Sequence, residues 1–392
     1  MIIKPKIRGF ICTTAHPVGC AQNVKEQIQY VKDNTPAQKG AKNVLILGCS
    51  AGYGLASRIT AAFGSGANTL GVQFEKEPTE RKTASAGYYN TVAFEKEAKE
   101  AGLYANTFNL DAFSHEAKDV IIKEIKEKMG KVDLVVYSLA APRRKDPDTG
   151  EIYTSTLKPI GKSVTRKNLN TDKKIVSDLT LEPASEAEIQ GTIDVMGGAD
   201  WELWMSALAD ADVLAQDVKT TSYTYIGEQL TWPIYKGATI GKAKEDLDRA
   251  AAAISEKLKA SLNGSAYVSV LKAVVTQASS AIPVMPLYLS ILFKVMKEDG
   301  SHEGCIEQVH ALFKNELFDD SALTLDEDGR IRMDLKELRP EIQSKVEALW
   351  DKCTTETFEE MSDFKAYQEE FYRLFGFGLK GVDYEAEVET GA

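Results

Sequence analysis

Histidine is scarce in this chain, and cysteine is both scarce and scattered. The 392 residues hold four histidines (His16, His115, His302 and His310) and five cysteines (Cys12, Cys20, Cys49, Cys305 and Cys353). No CxxC and no HExxH occurs. An odd, widely spaced set of thiols does not make a disulfide framework or a zinc site. No metal is therefore expected, and a reduced, cytoplasmic protein fits. A basic excess is also missing: Lys+Arg is 47 against 58 Asp+Glu, a formal net charge of −11. That balance argues against nucleic acid and anionic membrane surfaces as partners. Long apolar runs are absent too. The most apolar stretch, AIPVMPLYLSILFKV from Ala281 to Val295, is broken by two prolines and falls short of the roughly 20 residues that span a bilayer. A core helix is the better reading. The start, MIIKPKIRGF, shows no apolar signal-peptide region.

What is present is an ordinary globular composition, 43% hydrophobic and 27% charged, which excludes disorder along the whole chain. The first 150 residues alternate two periods. Asn43–Leu47 is a short apolar run ending at Gly48, as in a buried parallel strand. Leu55, Ile59, Ala62 and Phe63 follow at helical spacing until Gly64–Gly66. Strand patterns recur at Thr69–Phe74, Tyr104–Leu110 and Val132–Ser138. Between them lie helical patterns at Tyr89–Ala101 and after Ser114. This order predicts a Rossmann-type, doubly wound parallel α/β sheet with right-handed crossovers. From 141 to 220 the pattern breaks at the turn-rich Asp146-Pro-Asp-Thr-Gly150, whose flanks suit a hairpin. Helices are expected around Trp201–Trp204, at Ile240–Leu262 and at Pro286–Lys297, with strands at Thr221–Ile226 and Ala266–Val270. The chain reads as one α/β domain over 1–392. Its parts are a dinucleotide-binding half (40–140), an insertion or lid (141–220), a catalytic and substrate-side half (221–300) and a C-terminal extension (301–392).

Gly48-Cys-Ser-Ala-Gly52-Tyr-Gly54 sits between the first strand and a helix. The spacing is GxxxGxG rather than GxGxxG, but the physical need is the same: helix N-terminal amides facing a pyrophosphate that any Cβ would hold off. Phe74-Glu75 ends the second strand, where a dinucleotide fold meets the adenosine ribose. A carboxylate there accepts from free ribose hydroxyls and repels a 2′-phosphate, favouring NADH, although Lys76 brings a cation to the same place. Asp111-Ala112 and Ser138-Leu139-Ala140 end the third and fourth strands and are candidates for adenine and nicotinamide-ribose contacts.

Tyr235 and Lys244 stand nine residues apart. On an unbroken helix, nine steps of roughly 100° put them on opposite faces. They converge only if Tyr235 precedes the helix, a break for which Gly237 and Gly241 provide. Lys242 is a competing lysine. Tyr225, in Tyr223-Thr-Tyr-Ile-Gly227, is a second phenol at a strand end. A phenol and an ammonium suit hydride addition to an α,β-unsaturated thioester. The developing enolate needs a donor, and the α carbon needs a proton.

Together these residues resemble the FabV-type trans-2-enoyl-ACP/CoA reductases. The resemblance runs from Met1 to about Tyr384. It includes Ile3-Lys-Pro5, Ala15-His-Pro-Val-Gly-Cys20, Gly48 to Gly54, Tyr137-Ser-Leu-Ala-Ala-Pro142, Val195-Met-Gly-Gly198, Tyr235-x8-Lys244, Val274-Val-Thr-Gln-Ala-Ser279 and His302-Glu-Gly-Cys-Ile-Glu307. The x8 spacing separates this family from Tyr-x6-Lys enoyl reductases and Tyr-x3-Lys short-chain dehydrogenases. The resemblance implies a short-chain-dehydrogenase-like core, usually monomeric. It also implies NADH-dependent reduction of the C2=C3 bond of a trans-2-enoyl-ACP or trans-2-enoyl-CoA, the last step of a fatty-acid elongation cycle. By the same resemblance Tyr235 is the proton donor, Lys244 the cofactor-ribose lysine and Tyr225 the substrate-contacting tyrosine. The dinucleotide contacts are Gly48, Cys49, Ser50, Ala51, Gly52, Tyr53, Phe74, Glu75, Asp111, Ala112, Leu139 and Ala140. Val274, Val275 and Thr276 line the nicotinamide. Arg143-Arg-Lys145 suits either an acidic carrier protein, a CoA phosphate or plain solvation. Two other readings stay open: a short-chain-dehydrogenase-type carbonyl reductase, and a dinucleotide sensor without turnover.

Overall fold

Seven parallel strands form the centre of the molecule in a computed structural model that describes residues 1–35, 40–319 and 323–391. They are β1 (Asn43–Leu47), β2 (Asn68–Gln73), β3 (Ala105–Asn109), β4 (Val132–Tyr137), β5 (Leu214–Thr224), β6 (Ser265–Val270) and β7 (Ile331–Arg332). Their order across the sheet is β7-β6-β5-β4-β1-β2-β3. Every neighbouring pair is parallel. The order reverses between β1 and β4, the switch point at which a doubly wound sheet opens a crevice beyond its C-terminal strand ends.

The central strands β1 and β4 are mainly apolar because both faces are covered. Val44 and Ile46 join one core with Leu134 and Val136, while Leu45 and Leu47 join another with Val135 and Tyr137. The first core is closed by α1 (Pro17–Asn34), α2 (Gly52–Ser65) and α3 (Ala86–Glu100). The second is closed by α4 (His115–Glu124), α6 (Ala199–Asp210) and α7 (Thr239–Leu262), with α5 (Glu186–Met196) packed on α7. α2 stops where expected, at Gly66 in the left-handed region (φ 70°). Ser114 caps α4, its hydroxyl accepting from the Ala117 N–H.

A third core gathers residues mainly of the second half of the chain. It is built on α8 (Met285–Asp299), whose Leu287, Tyr288, Leu289, Ile291, Leu292 and Phe293 are all fully buried. The 15-residue apolar stretch is thus a core helix, and among the described residues no helix is long and apolar enough to cross a membrane. α9 (Cys305–Leu312), α10 (Pro340–Lys352) and α11 (Phe364–Arg373) complete the fold. The region from 141 to 185 forms two antiparallel hairpins, Arg143–Lys145 with Ile152–Thr154 and Val164–Asn170 with Ile175–Leu181.

Three features differ from the sequence reading. β5 begins at Leu214, well before Thr221, and its polar first half carries a register shift, with Asp217 at φ 59°. α1 was not foreseen; its N-cap is His16, whose Nδ1 accepts from the Gly19 N–H at 3.1 Å. The C-terminal extension supplies β7 to the main sheet.

Candidate active site

At the switch point the ends of β1 and β4 touch. Gly48 has φ 84°, and a Cβ there would lie 2.2 Å from the Ser138 carbonyl oxygen. A Cβ on Gly54 would lie 1.8 Å from the Gly48 oxygen, so the loop folds back on itself only as glycine. Gly52 (φ 52°) faces Thr276 Cγ2, 3.5 Å from where its Cβ would stand. Ala51, at the N-cap of α2, provides no side-chain acceptor. The first amides of α2 are therefore left for an anion. A backbone cradle that a Cβ would fill is the form a dinucleotide pyrophosphate requires, and these residues fit one.

Glu75 closes the far side of this loop. Its Oε1 accepts from the Ser50 hydroxyl at 2.6 Å. Asn109 pins its backbone with two hydrogen bonds, 2.7 and 2.9 Å. Phe74 beside it is 81% exposed, an unusual state for a phenylalanine and one that leaves its ring free to cover a flat ligand. Leu139 lies against Gly48, its Cδ2 3.0 Å from that residue's added Cβ, and Ala140 is exposed at the crevice.

Four of the expected cofactor residues turn their polar groups elsewhere. The Cys49 thiol points to Arg58 Nη1 at 3.8 Å, and burial pushes it up to about 11. The Tyr53 hydroxyl donates to the Lys272 carbonyl at 3.0 Å. The Asp111 carboxylate accepts from the Phe113 N–H of its own turn at 3.0 Å, and the Ala112 carbonyl accepts from Trp204 Nε1 at 2.9 Å. From these four, contact with a bound nucleotide is left to backbone and ring surfaces.

The tyrosine–lysine question is decided by where α7 begins. A single 3₁₀ turn (Trp232–Ile234) ends at Tyr235, and α7 starts at Thr239. Tyr235 thus precedes the helix, as convergence with Lys244 demands. Gly241 allows the close approach, since a Cβ there would meet the Lys236 oxygen at 2.0 Å. Tyr235 is 7% exposed, and its hydroxyl makes no hydrogen bond to any described residue. Burial raises its pKa above the ordinary phenol value, so it stays a neutral donor. Lys244 Nζ donates to the Tyr223 carbonyl at 3.3 Å. Burial lowers it to about 8, partly offset by Asp248 one turn along the helix. Lys242 is exposed and paired with Glu245 at 2.6 Å. Tyr225 meets Tyr235 edge to face, with ring centroids 5.0 Å apart at 80°. Val274 and Val275 are buried, and Thr276 caps a short turn with Ser279.

The basic triplet is not a patch. Arg143 and Lys145 face solvent, but Arg144 is buried and donates to the Asp194 carbonyl at 2.8 Å, because alternate residues of a hairpin strand face opposite ways. His16 is a buried helix cap packed on the Tyr384 ring at 4.9 Å. One residue of the site escaped sequence reasoning altogether. Glu337 is fully buried and accepts from the Tyr225 hydroxyl at 3.0 Å. Its setting, Asp334-Leu-Lys-Glu337, reads as solvated chain and carries no signal of this.

Comparison with known proteins identifies relatives along the whole chain. Residues 82–318 match the trans-2-enoyl-CoA reductase catalytic region, and residues 2–80 match the NAD(P)H binding domain of trans-2-enoyl-CoA reductase. Residues 325–388 match a model described as an enoyl reductase FAD binding domain. An enoyl-[acyl-carrier-protein] reductase [NADH] of Colwellia psychrerythraea is 64% identical, covering 99% of this chain and 98% of its own. One of Pseudoalteromonas atlantica is 63% identical, covering 100% and 99%. The solved trans-2-enoyl-CoA reductase of Treponema denticola in complex with NAD superposes with a TM-score of 0.94 at 47% identity, over 99% of this chain and 98% of that one. The residues of 325–388 do not fit a flavin. Ile342, Val346, Trp350, Tyr367 and Phe371 are buried against α8. A Cβ on Gly376 would strike the backbone of His16 and Cys20 at 2.5 Å.

Proposed function

This chain belongs to the trans-2-enoyl-CoA reductase family, and on that premise we propose that it reduces the C2=C3 double bond of trans-2-enoyl thioesters. NADH supplies the hydride, which goes to C3. The observation that carries the reading is Tyr235: a buried, neutral phenol without a hydrogen-bond partner among the described residues, set beside Tyr225 and before the helix that carries Lys244.

Tyr235 donates to the thioester oxygen as enolate charge develops there and assists protonation at C2. Lys244 holds the nicotinamide-ribose hydroxyls, and its ammonium helps Tyr235 electrostatically by favouring release of the phenol proton. Tyr225 bounds the substrate side. The backbone of Gly48–Tyr53 cradles the pyrophosphate, with Glu75 on the adenosine ribose, Phe74 beside the adenine, and Asp111, Ala112, Leu139 and Ala140 along the strand ends. Val274, Val275 and Thr276 wall the nicotinamide and exclude water. In this reading 40–140 is the cofactor half, 221–300 the catalytic half, 141–220 an insertion over the site, and 301–392 the wall behind it.

The test is loss of NADH absorbance with crotonyl-CoA and, separately, with a longer enoyl-ACP. Turnover to the saturated acyl thioester is expected with at least one carrier, and the ratio identifies the preferred one. No turnover with both, alongside carbonyl reduction, would replace this reading with the short-chain-dehydrogenase one. NADH binding with no turnover of any substrate would leave a sensor.

A further inference from the structure

Glu337 is fully buried, and none of the steps above uses it. It lies between β7 and α10, in the C-terminal extension, yet it reaches three parts of the site. Its Oε2 accepts from the Ala273 N–H at 2.6 Å, at the start of the loop that carries Val274–Thr276. Its Oε1 accepts from two phenols, Tyr225 at 3.0 Å and Tyr288 of α8 at 2.7 Å. Gln343 Nε2 donates to the Tyr288 oxygen at 3.2 Å and to the Glu337 carbonyl at 2.7 Å. That bond orients the Tyr288 hydroxyl toward the carboxylate. Lys272, also buried, donates to the Ala273 carbonyl at 2.7 Å and the Glu303 carbonyl at 3.1 Å, and its charge acts on the same carboxyl.

Burying a carboxyl is costly unless both oxygens are satisfied. Here both are, and one of the groups they fix is the ring that packs on Tyr235. We propose that Glu337 is a positioning residue for the enoyl-thioester site: it holds Tyr225 by its hydroxyl and ties it to the nicotinamide loop, and through the edge-to-face contact it sets the ring of the proton donor. The inference rests on the function proposed above. A misplaced donor lowers turnover far more than it lowers binding, since alignment, not contact area, is lost.

Glu337→Gln isolates this role. The amide keeps the shape but has one acceptor atom where two are in use. Either the Ala273 N–H or the pair of phenols then faces an NH₂ group. The expected result is a fall in kcat with crotonyl-CoA of about tenfold or more, with KM and the NADH dissociation constant held within about threefold. In a Tyr225→Phe background the same substitution should change kcat little, because its target is gone. A folded Glu337→Gln with wild-type kcat overturns the proposal, as does an effect that simply multiplies with that of Tyr225→Phe. If Glu337→Gln does not fold, the cycle is run between Tyr288→Phe and Tyr225→Phe. Two hydroxyls on one carboxylate oxygen predict coupled effects on kcat, and independent effects overturn the assignment. Wild-type protein that turns over no enoyl thioester overturns the underlying function instead, and the wild-type control separates that failure from these.

Discussion

The Tyr225 and Tyr235 rings meet edge to face, centroids 5.0 Å apart, yet their hydroxyls have opposite circumstances. Tyr225 donates to Glu337, while Tyr235 has no partner among the described residues. The Tyr235 ring is buried, but its hydroxyl is neither bonded to a described residue nor sealed from solvent, which leaves it open to a substrate. Tyr235→Phe keeps the ring contact and removes only that group. Steady-state kinetics should show kcat reduced about 10²-fold or more, with the NADH dissociation constant unchanged and thermal stability equal to or above wild type. An unaltered kcat would remove Tyr235 from the mechanism.

In the proposed function Glu75 sets the choice of nucleotide. Its Oε1 lies 2.6 Å from the Ser50 hydroxyl, and a Cβ on Gly87 would come within 2.1 Å of it. Glu75→Ala should raise the NADPH-to-NADH ratio of kcat/KM by about tenfold or more, the scale of one like-charge contact. Gly87→Ala, which displaces the same carboxylate, should move the ratio in the same direction. A ratio unmoved in both variants would refute the ribose assignment.

Lys244 predicts a pH limb. Burial lowers its ammonium to about 8. In the proposed role the protonated form holds the ribose, so kcat/KM should fall as pH rises through about 8. Asp248 supports the ammonium, and its own carboxyl is raised to about 6 by burial. Asp248→Asn removes that anion and should shift the alkaline limb to lower pH. A flat profile up to the ordinary lysine range would contradict the role of Lys244.

Gly54 is a matter of space alone. An added methyl would sit 1.8 Å from the Gly48 oxygen. Gly54→Ala should therefore abolish NADH binding, measured by fluorescence, or prevent folding. Gly66→Ala is the control: φ is 70° and the surroundings are open, so it should cost about 1–2 kcal/mol and leave NADH affinity intact. Equal NADH affinity in the two variants would dismiss the glycine loop as the pyrophosphate cradle.

How much of this was legible depends on which force shaped each element. β1 and β4 are sandwiched between helices, so Val44–Leu47 and Leu134–Tyr137 wrote themselves as apolar runs. The glycine loop was legible because its positions tolerate no Cβ. The first half of β5 was not legible: Ala215, Gln216 and Asp217 lie on a shifted, partly exposed register where no alternation survives. α1 was hidden by an imidazole cap in place of Ser, Thr, Asp or Asn. The Tyr235–Lys244 spacing was informative only together with a helix start, and Gly237 and Gly241 hinted at that start without fixing it. Glu337 had no local signal. Its partners Tyr225, Ala273 and Tyr288 are 112, 64 and 49 residues away in sequence, and only the packing of α8 and the C-terminal extension brings them together.

The most direct measurement follows the hydride itself. Crotonyl-CoA is turned over with NADH carrying deuterium on the transferred face, and the product is examined by mass spectrometry and NMR. The account predicts butyryl-CoA with one deuterium at C3 and a solvent-derived proton at C2. An unreduced double bond with deuterium at the former carbonyl carbon, or NADH binding without any transfer, would contradict it.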